Sequence, residues 1–326
     1  MREVYRDELA VSHRPAAPTE AGMDNTPGRS CPLSYRYAAD ALHGAAALAA
    51  DTLWIAGGLY GNRYALLALL EAFDAEPGAK ALVFNGDFHW FDAEPGEFEL
   101  VDETVQGFHA LRGNVETEVA APVDGAGCGC AYPEWVGDAT VERSNAIIER
   151  LRAAAIASGR DLRLMAALPM TLVAEVGGER IGIVHGDAES LAGWNFSQEV
   201  LRTPQGAAAA ERALVRSSVK VFASSHTCLP VLKSFPGGRA IINNGAAGMP
   251  NFRGERYGIA TRISVRPARK PLYGTRLGGL HADAVPLAYD FAAWEKRFVE
   301  IWPEGSDAHR SYFARIRQGP DFELAA

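Results

Sequence analysis

Between Thr52 and Asn114 the chain repeats one local plan: an apolar run, a stop at glycine, then a segment with helical spacing. "TLWIAGG" precedes "NRYALLALLEAF", whose apolar residues fall three and four apart. "KALVFNG" precedes "GEFELVDETVQGF", and "HALRGN" follows as a short third run. Apolar runs without alternation suit strands buried on both faces. Helices between them favour parallel pairing, because a parallel crossover needs a dozen or more residues. This confines the first half of the chain to a parallel α/β core.

Residues 1–50 read as an N-terminal extension, and 51–326 as one domain with a helical tail. The stretch "HRPAAPTEAGMDNTPGRSCP" predicts irregular structure, and "LSYRYAADALHGAAALAA" a short helix. "GAGCGCAYPEWVGD" reads as a loop and "ATVERSNAIIERLRAAAIAS" as an amphipathic helix. "MTLVAEVGGERIGIVHGD" signals a hairpin around its glycine pair. "VKVFASS", "LPVLKSF", "GGRAIINNG" and "YGIATRISV" read as strands joined by short turns, as in an antiparallel sheet. "FAAWEKRFVEIW" and "DAHRSYFARIRQ" look helical. The expected result is two packed sheets flanked by helices.

A formal net charge of −8 argues against binding nucleic-acid polymers or membrane surfaces. It leaves room for an anionic substrate beside a bound cation. Four scattered cysteines do not make a disulfide framework. The start has no apolar signal core, and Asp51 and glycines interrupt the Ala-rich run from Gly44 to Tyr60. A cytoplasmic setting is the expectation, with a homo-oligomer left open.

Polar groups collect where the strands stop. Asp87 follows "VFNG", Asn114 ends "LRGN", His185 follows "GIV" and His226 follows "VFASS". Carboxyl ends of strands are where α/β proteins place sites. One carboxylate, one amide oxygen and two imidazoles suit a borderline divalent ion: Mn, Fe, Co, Ni or Zn. The plain alternatives are a turn-capping Asp, a turn Asn and core histidines. By contrast, the first turn, "GGLYGN", carries no acid, histidine, lysine or serine. It is not G-x-G-x-x-G and no acid follows about twenty residues on, which argues against a dinucleotide fold.

In order and wording these motifs resemble the calcineurin-like metallophosphoesterases, in particular bacterial phosphodiesterases and diadenosine-tetraphosphatase-like proteins. That family's DxH, GDxxD, GNH(E/D), H and GHxH correspond here to "GGLYGN", "NGDFHWFD", "GNVETE", "IVHGD" and "SSHTCLP". The resemblance spans about Thr52 to Val265 and implies a four-layer α/β/β/α sandwich of two mixed sheets. It implies a metal-dependent phosphoesterase acting on a small phosphorylated substrate. One ion would be held by Asp87, Asn114, His185 and His226. The second ion's ligands fall on Gly58, Tyr60 and Cys228, so one ion per chain is expected, with a second only if Tyr60 and Cys228 coordinate it. The family's leaving-group histidine falls on Val115. His89 and Glu116 are the candidates for catalytic support, Glu116 also as an orienting or helix-start acid. Asn62 reads as a helix cap, or with Arg63 as a phosphate contact. The missing ligands leave a non-catalytic binder as the alternative.

Overall fold

The computed structural model describes residues 26–324. The irregular stretch read from His13 lies, as far as Asn25, outside them. Two short 3-10 turns at Leu33–Tyr35 and Ala39–Leu42 stand where a short helix was expected.

Two six-stranded mixed sheets form the centre. The elements of the first half are β1 (Leu48–Ala50), β2 (Thr52–Ala56), α1 (Arg63–Asp74), β3 (Lys80–Asn85), α2 (Pro95–Gln106) and β4 (His109–Leu111). Then come α3 (Asn114–Ala120), α4 (Asp138–Ser158), α5 (Leu162–Ala166), β5 (Thr171–Val176) and β6 (Glu179–Val184). The second half holds α6 (Gln198–Leu201), α7 (Pro204–Arg216), β7 (Val221–Ser224), β8 (Pro230–Phe235), β9 (Arg239–Asn244) and β10 (Gly258–Ser264). It closes with β11 (Tyr273–Leu277), β12 (Leu280–Leu287), α8 (Phe291–Ile301) and α9 (Asp307–Gln318). One sheet runs β11-β12-β10-β2-β3-β4 and the other β1-β5-β6-β7-β9-β8.

The β2–β3–β4 core is parallel, with Trp54 opposite Leu82 and Phe84 opposite Ala110. The pleat explains why these strands are apolar throughout. Leu53, Ile55 and Val83 meet Ile181, Ile183 and Ile242 between the sheets, while Trp54, Leu82 and Phe84 face the helices. On the far face Phe222 and Ile241 lie under Leu214 of α7.

The expectation of one antiparallel sheet after Val219 is corrected. β7 pairs parallel with both β6 and β9, and only β8–β9 is antiparallel there. The chain leaves β7 for the sheet edge, makes β8, and turns back to insert β9 beside β7. Strands buried on both faces carry no alternation that would encode this order. β10 belongs to the other sheet, antiparallel to β2 and β12. The β11–β12 hairpin and helices α5, α6 and α7 had no reading in the sequence, and α3 had one only through Glu116 as a helix-start acid. The described part of the extension is tied to the domain: β1 lies parallel beside β5, and Leu191 N donates to Tyr35 O. Among the described residues no helix is long and apolar enough to cross a membrane.

A buried ion pair fastens β10 to the end of α1. Arg262 donates Nε to Glu76 Oε2 and Nη2 to Oε1, both at 2.8 Å, and Trp54 Nε1 also donates to Glu76. The guanidinium holds the Glu76 carboxyl below its usual pKa, against burial. A depressed carboxylate contributes stability above its unfolded pKa and loses it as pH falls through the folded value. Glu76→Gln is therefore expected to cost about 3 kcal/mol at neutral pH, since it leaves the buried Arg262 only Asp283, at 3.8 Å, as a counter-charge. The gap to the parent protein should narrow below roughly pH 4. Urea unfolding at several pH values measures both.

Candidate metal centre

Four loops bring the strand-end residues together from both sheets. Asp87 follows β3 on a turn in which Gly86 has φ 73° and Asp87 itself φ 52°. Glycine is needed at 86, because a Cβ there would sit 2.6 Å from His185 Nδ1 and 2.7 Å from Gly113. Asn114 opens α3 just beyond β4, His185 directly follows β6, and His226 lies two residues past β7.

All four side chains are buried. His185 Nε2 lies 3.3 Å from Asp87 Oδ1, 3.2 Å from Asn114 Oδ1 and 3.2 Å from His226 Nδ1. The outer atoms fix what faces inward. His185 Nδ1 is 2.9 Å from the carbonyl of Asn85, and His226 Nε2 is 3.0 Å from the carbonyl of Cys130. A carbonyl only accepts, so each ring donates outward and turns its other nitrogen's lone pair inward. Asn114 donates Nδ2 to Cys128 O at 3.0 Å, which turns its oxygen inward too. Neutral imidazoles thus leave four acceptors converging with no proton among them.

That arrangement repels itself unless a cation enters. Donors about 2.1 Å from one ion sit about 3.0 to 3.4 Å from their neighbours, which the observed spacings match. Asp87, His185 and His226 form a metal-compatible cluster among the described residues. Without an ion, a proton takes the role. Burial opposes charging His185, yet the Asp87 carboxylate outweighs it and raises the pKa. Burial likewise opposes charge on Asp87, but His185 and His226 hold its carboxyl below the ordinary value. Burial and the neighbouring His185 push His226 down to about 3.

The other half of the site is filled by the chain. Tyr60 (φ 56°) and Cys228 (φ 59°) meet in an Oη···Sγ hydrogen bond of 2.7 Å. A Cβ on Gly58 (φ 63°) would come within 2.9 Å of the Tyr60 ring, so an aspartate there would displace that ring. Burial raises the pKa of both the phenol and the thiol, which keeps them protonated. Arg315 of α9 donates Nη2 to Cys228 O at 2.6 Å. The turn "NNGAAGMP" backs this wall: Ala247 N and Gly248 N donate to the carbonyls of Gly57 and Gly58. Those two amides are therefore not free for an anion.

Several readings need correction. His89 does not reach the site mouth. It is enclosed, 2.5 Å from Asp92 through Nδ1, and stacked on Phe98 at 4.0 Å. Glu116 is not placed for proton transfer either. Its oxygens accept from the backbone N–H groups of Asp87 and Gly113 at 2.8 Å and Phe88 at 3.0 Å. Those contacts tie the two turns together, and Glu116 is also the third residue of α3. Asn62 caps α1 by accepting from Tyr64 N and Ala65 N. Arg63 turns to Glu97 at 3.3 Å instead of toward a phosphate.

A cavity of about 40 Å³ opens over Asp87, Asn114 and His226, with Val115, Tyr60 and Cys228 in its wall. Four aromatic rings complete it: Trp90, Tyr132, Trp194 and Tyr312. No sequence signal marked these rings. Nor did any mark the carbonyls of Cys128 and Cys130, which orient Asn114 and His226. Main-chain atoms of a loop carry no residue-type signature.

A family model described as calcineurin-like phosphoesterase matches residues 42–230, more than half of the chain. A hypothetical protein from Pyrococcus horikoshii OT3 superposes with a TM-score of 0.59 at 16% identity, over 83% of this chain and 99% of its own. A metallophosphoesterase from Sphaerobacter thermophilus gives a TM-score of 0.50 at 18% identity, over 83% of this chain and 100% of its own. Both likenesses concern the fold. No curated protein matches the chain.

Proposed function

Because the chain belongs to the calcineurin-like phosphoesterase family, we propose that it hydrolyses a phosphate mono- or diester, using one divalent ion held by Asp87, Asn114, His185 and His226. The observation that carries this reading is the convergence of four acceptors with no proton to share. When bound, such an ion supplies Lewis-acid polarisation of a phosphoryl oxygen and of a water. Two nitrogens and two oxygens favour Mn, Fe, Co, Ni or Zn over Mg.

The chain's own residues set the rest. The carbonyls of Asn85 and Cys130 hold both imidazoles in the tautomer that points a lone pair inward. Glu116 holds the Asp87 and Gly113 turns against each other. Val115 contributes no proton to a departing group, and His89 is too enclosed to replace it. The leaving group must then carry its own acidity, because a positioned general acid contributes about 10²- to 10⁴-fold. Aryl esters and phosphoanhydrides are the expected substrates. With p-nitrophenyl and alkyl phosphates of matched size, kcat/KM should differ by at least about 10²-fold. Equal rates across that panel would point to a general acid elsewhere. A small phosphorylated substrate and a cytoplasmic setting belong to the same proposal.

Gly58 and Val115 favour one second reading: a binder that keeps metal and phosphate without turnover. Metal-loaded protein that binds phosphate yet releases no product from any ester would decide for it.

A further inference from the structure

Trp135 is 55% exposed although its loop is fastened at both ends. Arg29 donates Nη1 to Pro133 O at 2.9 Å and Nη2 to Val136 O at 2.6 Å, and pairs with Asp138 at 2.6 Å. Upstream, Tyr132 N donates to Gly28 O and Gly28 N to Ala126 O. The described end of the N-terminal segment thus holds the 126–138 loop in one shape. More than half of this large apolar ring thus stays open to solvent on a clamped loop.

Its neighbours connect it to the metal centre. Trp135 meets Trp194 edge-on, with centroids 6.4 Å apart and planes at 87°. Trp194 lines the cavity, donates Nε1 to Cys130 O, and stands edge-on to His226 at 5.4 Å and 77°. The outer indole therefore lies no farther from this ligand than those two ring spacings together. Tyr132, from the same loop, tilts against Trp194 at 6.2 Å. Aromatic rings run outward from the cavity to an exposed face. A cavity of about 40 Å³ holds roughly two or three waters, so the bulk of a substrate must lie outside it.

We propose that Trp135, backed by Trp194, is the binding platform for a planar aromatic group carried by the phosphate ester, either a nucleobase or an aryl ring. The proposal takes its phosphate ligand from the hydrolase reading above. Stacking on an aromatic side chain is tolerant of ring identity and contributes about 1–3 kcal/mol per base, or roughly 5- to 150-fold in affinity. Trp135 is a specificity-determining residue, acting on the ligand's flat end and not on the reacting phosphorus.

The test is calorimetric binding of inorganic phosphate, adenosine 5′-monophosphate and phenyl phosphate to Mn-loaded full-length protein. Wild type, Trp135→Ala and Trp135→Phe are compared. The platform predicts that Trp135→Ala weakens at least one ring-bearing ligand by about 5- to 150-fold, leaves inorganic phosphate unchanged, and that Trp135→Phe recovers most of the loss. Dependence of the adenosine ligand identifies a nucleobase, and dependence of phenyl phosphate alone identifies an aryl ester. The proposal is overturned if both ring-bearing ligands bind no tighter than inorganic phosphate, or if Trp135→Ala leaves both unchanged. Ring-dependent binding without turnover would remove the hydrolase reading and keep the platform. Turnover with ring-independent binding would do the reverse.

Discussion

Asp87→Asn is expected to lower bound metal from about one ion per chain to under roughly a tenth of that, because even outer partners of ligands cost 10- to 100-fold in affinity. Turnover of an aryl phosphate should fall in step. The carboxylate is the only anionic donor among the four, and it lies 3.3 Å from His185 Nε2. Elemental analysis of the purified variant and of His185→Ala measures the effect. Unchanged metal content would place the ion elsewhere in the chain.

The same geometry sets an opposed pH dependence for the metal-free and metal-loaded protein. Metal-free, the Asp87–His185 pair needs a proton on His185, whose folded pKa is raised. A raised imidazole contributes stability that is complete below its unfolded pKa, about 6.5, and is lost as pH rises through the folded value. EDTA-treated protein should therefore melt lower at pH 8.5 than at pH 6. The ion competes with that proton, so the melting-temperature gain on adding metal should grow over the same range. A gain that is flat with pH would mean the imidazoles are not ligands.

Glu116→Gln carries the second large effect: a stability loss of about 3 kcal/mol in metal-free protein, and metal affinity weakened about 10- to 100-fold. Its Oε2 accepts from Asp87 N and Gly113 N, and its Oε1 from Phe88 N, so one buried carboxylate ties two ligand loops together. An amide would turn an N–H₂ against at least one of those donors. Asp87 sits at φ 52°, a conformation that needs outside hydrogen bonds to persist. Urea unfolding in EDTA, followed by a metal titration, separates the two losses. A change under about 0.5 kcal/mol would reduce Glu116 to an ordinary helix-start acid.

The four residues proposed as ligands were legible as a group because each stands at the end of an apolar run, where a polar residue has no packing reason to be. The empty "GGLYGN" turn was legible for the converse reason. His89 misled because sequence proximity to Asp87 says nothing about direction. The turn at Gly86 and Asp87 sends the two side chains apart, and His89 ends stacked on Phe98. Trp135 and Trp194 were invisible as partners, since nothing in a tryptophan's neighbours announces which ring it meets 59 residues away.

By itself the sequence determined the strands that end at the site, their turns and the residue types at their ends, because periodicity and glycine conformations act over a few residues. Tertiary structure alone decided that Asp87 and Asn114 from one sheet would face His185 and His226 from the other. It also decided that the carbonyls of Asn85, Cys128 and Cys130 would accept from His185, Asn114 and His226, which turns the opposite atoms of those side chains inward. It brought Arg315 from the last helix against Cys228, and let Tyr60 fill the space an aspartate at 58 would take. These outcomes depend on how two sheets and a distant helix pack, and packing is a property of contacts far apart in the chain.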